Sequence, residues 1–140
     1  MAIWRSEIST TLLNERGRGT LADFLDIEFI EFGEDYLKAT MPVTDKVKQP
    51  LGIMNGGVSC VIAETVGSTA ANYAVDNRLQ YCVGLEINTN HLRPAKSGVL
   101  TACARPFHLG KTTQVWSIEI SNEVGKLISV SRHTVSVQNR

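Results

Sequence analysis

The chain has 140 residues, 43% of them hydrophobic and 20% charged, with fourteen basic and fourteen acidic side chains and a formal net charge of zero. That length holds one domain, residues 1–140, able to bury roughly 70% of its unfolded surface without a metal or disulfide staple. The composition is that of an ordinary soluble globular protein, and the balanced charge argues against nucleic acid as a partner.

The balance hides a split. Residues 1–90 carry seven Lys/Arg against twelve Asp/Glu, a net of −5; residues 91–140 carry seven against two, a net of +5. The second half is therefore suited to present a basic surface to a small anionic ligand. No apolar run approaches the length of a membrane span, and the opening residues lack the apolar core of a signal peptide, so the expectation is a cytoplasmic protein with no membrane partner. Cys60, Cys82 and Cys103 sit in apolar segments without ligand-type spacing. They read as reduced thiols, with no metal site.

In chain order, a short helical turn is expected over residues 9–16, capped by Ser9 or Thr10 and ended by Gly17. Residues 24–32 and 36–41 read as two strands joined at Gly33-Glu34-Asp35, a hairpin signal. Residues 42–55 form a loop punctuated by Pro50 and Gly52. Residues 56–75 carry the one long helical pattern, with Val58, Ile62, Thr65, Val66, Thr69 and Tyr73 on one side. Four strand-like runs follow at 80–91, 99–107, 113–121 and 127–137. In the last of these the apolar phase flips between Ile128/Val130 and Val135/Val137, which predicts a bulge near Arg132. Two strands, one long helix and four strands describe an α+β fold, an antiparallel sheet curled around one central helix. One helix covers one face only, so the other face or an edge is expected to meet another subunit.

At about 100° per residue, Gly57, Cys60, Glu64, Gly67, Ser68 and Ala71 share a helix sector opposite the apolar stripe. Glycine inside a helix costs about 1 kcal/mol relative to alanine, so Gly67 marks a close approach by another helix or a thin ligand chain. Glu64 is the only acidic or basic side chain of the helix apart from the weakly ionising Cys60 and Tyr73. A lone carboxylate on such a face is either a functional group or one half of an ion pair across an interface. Asn55 is a good N-cap, and Gly56-Gly57 offer backbone N–H groups at the positive end of the helix dipole. They are either an anion-stabilising site or a tight turn into the helix. Gly56 and Glu64 stand eight residues apart, about 12 Å along the axis. Both can reach one reacting group only when two antiparallel copies of the helix face each other. A catalytic site of this kind is built across a homodimer.

The runs Gln49-Pro50-Leu51-Gly52-Ile53-Met54-Asn55-Gly56-Gly57 and Ala63-Glu64-Thr65-Val66-Gly67-Ser68 resemble the hotdog-fold acyl-CoA thioesterases. The aroyl-CoA branch is the nearest: 4-hydroxybenzoyl-CoA, 1,4-dihydroxy-2-naphthoyl-CoA and enterobactin-proofreading thioesterases. The likeness continues through Val83-Gly84-Leu85-Glu86-Ile87-Asn88, Asn90-His91-Leu92-Arg93-Pro94 and His108-Leu109-Gly110, across nearly the whole chain. It implies a homodimer assembling into a homotetramer, and hydrolysis of acyl-CoA or aroyl-CoA to free acid and coenzyme A with no separate cofactor.

The resemblance also implies roles. Glu64 is nucleophile or general base, Gly56 N–H polarises the thioester carbonyl, Gln49 orients carbonyl or water, and Ser68 assists water or the acyl group. His91, Arg93 and Lys111 contact the phosphates or adenosine of coenzyme A, unless they are simply solvated loop charges. Gly84 either lets the pantetheine arm pass or marks a strand bulge. Met54 and Tyr73 shape the acyl pocket, beside Gly57 at the helix start. The family usually has His-Gly-Gly where this chain has Asn55-Gly56-Gly57, so an acid/base role for that histidine is absent here. That departure keeps a non-catalytic acyl-CoA-binding protein as the alternative. A hotdog hydratase fits less well, because it would need an active-site histidine. His133 and Cys60 read as structural.

Overall fold

The computed structural model describes all 140 residues. Helix α1 spans Thr10–Gly17, and Ser9 caps it by accepting from Leu12 N–H at 3.1 Å. A four-residue helix, α2, spans Leu21–Phe24. Strands β1 (Glu28–Phe32) and β2 (Leu37–Pro42) form the expected hairpin. A 3₁₀ turn over Asp45–Val47 interrupts the loop that leads to the long helix α3, Gly56–Tyr73. Strands β3 (Gln80–His91), β4 (Val99–Leu109), β5 (Thr113–Ser121) and β6 (Leu127–Asn139) follow. All pairings are antiparallel, in the spatial order β1-β2-β4-β5-β6-β3. No helix is long and apolar enough to cross a membrane.

Three expectations need correction. Residues 24–27 are not strand: Phe24 ends α2, and Asp26 turns the chain at φ 57 before β1 begins. The bulge predicted near Arg132 is absent, because Arg132 pairs in register with Asn88 and Ser117. Ser129, Ser131, His133 and Val135 hold a single inward phase, and the irregularity lies where β6 passes Ile120/Ser121. Ile128 is buried beside Ser129 at that irregularity, so the phase does change, earlier than expected, and beyond it serine and histidine hide the inward positions.

The third correction is the roll of α3. Its buried side is Ser59, Ile62, Ala63, Val66, Gly67, Ala70, Ala71 and Tyr73, whereas Thr65 and Thr69 lie away from the core. The sheet supplies the bulk, through Met41, Leu100, Trp116, Ile118 and Ile120, all nearly inaccessible. Close packing then requires small residues on the facing helix. Gly67 shows the balance. An added Cβ would stand 3.1 Å from Ile118 Cδ1 and 3.2 Å from His133 Cδ2. The helix-propensity gain of about 1 kcal/mol is outweighed by about 1–3 kcal/mol of overpacking. The close approach at Gly67 is thus made by the sheet.

This roll places Glu64 on the open side of α3. Beside it runs β3, an edge strand with Val83 and Leu85 exposed, whose outer edge is capped at Cys82 by the Asn72 side chain, which accepts from Cys82 N–H at 2.8 Å and donates to its C=O at 3.1 Å.

Candidate active site

The segment before α3 is built to expose a helix N-terminus. Gln49 through Gly52 form a tight turn, in which Gly52 N–H donates to Gln49 C=O at 2.9 Å and Gly52 takes φ +79. The Gln49 side-chain oxygen accepts from Leu51 N–H at 2.5 Å, leaving its amide hydrogens unengaged. Asn55 then caps α3, its Oδ1 accepting from Gly57 N–H at 2.8 Å. Such a cap is worth about 1 kcal/mol. Of the two glycine N–H groups, Gly57's is therefore consumed by the cap. Gly56 N–H has no acceptor in the chain. Three effects coincide on that one donor: no partner, the positive end of an 18-residue helix, and partial exposure.

Gln49, Met54, Gly56, His91 and Arg93 line one cavity of about 470 Å³. The His91 ring lies over Gly56, its Cε1 and Nε2 each 2.9 Å from where a Cβ would stand. Arg93 is exposed and donates from Nη1 to Leu127 C=O at 2.9 Å. Lys111 is not in this group. It lines a different cavity with Arg5 and Gln80, at the other end of β3 from His91. Those strand ends are separated by up to about 36 Å at 3.3 Å per residue.

Glu64 stands two turns into α3, exposed, and no basic side chain of the chain forms an ion pair with it. Its carboxylate lies over Gly84 of β3, where a Cβ would overlap Oε1. The strand is bulged there, Gly84 pairing with Val135 and Glu86 with Thr134, so that Leu85 is extra. Glycine and bulge together make room for the carboxylate. Replacing Gly84 by Ala is expected to cost about 1–3 kcal/mol, since the added Cβ displaces the mobile Glu64 carboxylate and also stands 3.0 Å from Cε1 of the buried His133 ring. With Glu64 in the role that the resemblance implies, turnover should fall by about a hundred-fold as the carboxylate moves by about 1 Å. Paired melting and rate measurements check this.

Ser68, one turn after Glu64, lines a second cavity of about 330 Å³ with Thr65, Thr69, Asn72, Tyr73 and Arg16. The Tyr73 hydroxyl accepts from Arg16 Nη1 at 3.0 Å. Met54 and Tyr73 therefore shape two different cavities. Cys60 Sγ is bonded to Thr89 Oγ1 at 3.3 Å, and burial pushes the Cys82 thiol up to about 11.

Sequence reasoning set His133 aside. The structure puts its ring beneath Ser68, with Nε2 2.9 Å from Oγ. The signal lay in β6, where Ser129, Ser131 and His133 occupy the inward positions that apolar residues normally take.

The Thioesterase superfamily profile matches residues 51–129. The 1,4-dihydroxy-2-naphthoyl-CoA hydrolase of Escherichia coli is 45% identical over 96% of this chain and 98% of that one. A proofreading thioesterase of Cronobacter turicensis is 38% identical over the same shares. A mutant thioesterase from Pseudomonas aeruginosa, solved by crystallography, superposes with a TM-score of 0.97 at 42% identity, over 99% of this chain and 100% of that one. A thioesterase from Haemophilus influenzae gives 0.95 at 44%, over 98% and 95%. The sheet wrapped on one helix is the hotdog fold of these proteins, and the chain belongs to the thioesterase superfamily as a thioester hydrolase.

Proposed function

We propose that the protein hydrolyses acyl-CoA or aroyl-CoA thioesters at two sites, each shared between the subunits of a homodimer. The observation that carries this reading is the pair on α3: a Gly56 N–H with no acceptor and a Glu64 carboxylate with no cation, about 12 Å apart along one helix. Within one chain they cannot meet on one carbonyl. Two helices packed antiparallel bring each Glu64 to the partner's helix N-terminus. The outer edge of β3 beyond Cys82, with no neighbouring strand and with Val83 and Leu85 exposed, supports pairing of two copies along that strand. Two such dimers assembled into a homotetramer complete the reading.

The thioester oxygen takes the hydrogen bond from Gly56 N–H, and the amide hydrogens of Gln49 stand beside it to orient carbonyl or water. Glu64 acts on the carbonyl carbon in one of two balanced ways. As general base, it takes a proton from water as the water oxygen adds. Collapse then breaks the C–S bond, and the proton passes to the departing thiolate. As nucleophile, it forms an acyl–carboxylate anhydride as the thiolate leaves, and water then cleaves the anhydride to regenerate Glu64. Coenzyme A belongs to the substrate, and the chemistry asks for no other cofactor.

His91 and Arg93 line the cavity at Gly56, and coenzyme A is assigned to them, His91 nearer the thioester end and the Arg93 guanidinium as the cation for a phosphate. Lys111 joins them only from another subunit. The cavity beside Ser68 is assigned to the acyl group. Its Ser, Thr, Asn and Tyr lining suits a hydroxylated aryl group better than a long alkyl chain. The naphthoyl-CoA hydrolase relative favours the aroyl side. The test is a panel of aryl and aliphatic CoA thioesters assayed for free thiol. Hydroxybenzoyl-CoA-type substrates should show the highest kcat/KM; no turnover of any CoA thioester would overturn the reading.

A further inference from the structure

We propose that His133 is a positioning residue of the hydrolytic site and acts through Ser68; this rests on Glu64 being the catalytic carboxylate. His133 is fully buried (0% exposed) on the inward face of β6, where an imidazole must satisfy both ring nitrogens. Its Nδ1 lies 3.2 Å from the Glu86 carbonyl oxygen. A carbonyl only accepts, so Nδ1 carries a hydrogen, and in the neutral ring Nε2 then presents a lone pair. The Ser68 hydroxyl, 2.9 Å from Nε2, then has to donate to it.

That relay decides what Ser68 offers the site. Its one hydrogen is spent on His133, so its oxygen is an acceptor only. Glu64 lies at i−4, one helical turn away on the same face, and an ionised carboxylate also only accepts. A water between two acceptors gives one hydrogen to each and turns its lone pairs away from both, toward an approaching carbonyl carbon. Without His133 the Ser68 hydroxyl is free to rotate and donate to Glu64. A hydrogen bond to the charged carboxylate stabilises it and weakens it as base and nucleophile.

Three local features converge on this ring. Gly67 has no side chain where a Cβ would stand 3.2 Å from His133 Cδ2, and Gly84 none where a Cβ would stand 3.0 Å from Cε1. The β3 bulge directly precedes Glu86, whose carbonyl holds Nδ1. The gap at Gly84 also accommodates the Glu64 carboxylate, so ring and carboxylate are placed by the same backbone feature.

Two measurements on the full-length protein test this. In ¹⁵N-histidine NMR spectra, His133 should show a protonated Nδ1 and an acceptor Nε2, with the Nε2 signal displaced in Ser68→Ala; a protonated Nε2 overturns the relay. In kinetics, His133→Leu should lower kcat about ten-fold with KM changed less than about twofold. His133→Gln should recover part of the loss, since its amide can accept from Ser68 and donate to Glu86. In a Ser68→Ala background, His133→Leu should cost nothing further. Wild-type kcat in His133→Leu, or losses that multiply in the double variant, overturn the proposal. If His133→Leu does not fold, His133→Gln and the tautomer decide it. Glu64→Gln is assayed in parallel: full activity there removes the underlying assignment, while the tautomer result stands independently.

Discussion

Glu64→Gln is expected to lower kcat by about a thousand-fold, within the range for a positioned base and below that for loss of a nucleophile. Its stability should stay within about 0.5 kcal/mol of the parent. The two halves of that expectation have separate grounds. The side chain is exposed and forms no ion pair, so an isosteric amide removes no stabilising contact. The amide still fits over Gly84, so the geometry is kept. Only the capacity to take a proton or form an acyl bond is lost. Steady-state release of thiol, with a thermal melt beside it, separates the two. An unchanged kcat would mean that the carboxylate is a bystander, and a large drop in melting temperature would mean that it is structural.

Gly56→Pro should lower kcat by about a hundred-fold to a thousand-fold, the usual cost of one oxyanion donor. Proline removes the N–H and little else. Gly56 is the first residue of α3, where proline is well tolerated. Asn55 already adopts φ −61 and ψ 131, the extended conformation that a following proline demands. The N–H it deletes has no acceptor in the chain, so no internal hydrogen bond is broken. The one steric neighbour is the His91 ring, which is exposed and can turn aside. Gly56→Ala is the control, because it crowds His91 equally and keeps the donor. Alanine should retain most of the activity. If the alanine and proline variants are equally active, the oxyanion role of Gly56 is wrong.

Most of the architecture was legible because its signals are local. Alternation over residues 80–91 and 113–121 located β3 and β5 to the residue, and Ser9 and Asn55 marked two helix starts by their capping chemistry. The roll of α3 was not legible, because helical spacing groups Thr65 and Thr69 with Val58 and overlooks volume. What decides it is that the sheet's bulky side chains, Ile118 among them, leave space only for small residues at Ala63, Gly67, Ala70 and Ala71, between Ile62, Val66 and Tyr73. The bulge was misplaced for a related reason, since Ser129, Ser131 and His133 disguise the inward phase of β6.

At the site, sequence spacing was enough to show that Gly56 and Glu64 cannot act together within one chain. It could not show that the Gly57 N–H is taken by Asn55, or that Lys111 lies at the opposite end of β3 from His91 and Arg93. Nor could it find His133, whose relation to Ser68 spans 65 residues of sequence. The −5/+5 division of charge keeps a physical meaning for Arg93, which lines the cavity at Gly56. For Lys111 it holds only if subunits associate.

Shared sites are the central claim, and subunit complementation tests it most directly. Glu64→Gln and Gly56→Pro chains, each inactive alone, are unfolded together in equal amounts and refolded. If Glu64 of one subunit serves Gly56 of the other, each mixed dimer contains one intact site and one doubly defective site. Random pairing then restores about a quarter of the wild-type activity. If Glu64 and Gly56 act within the same chain, every site in the mixture carries a defect. Activity would then stay at the level of the separate variants, and the two-subunit site would be wrong.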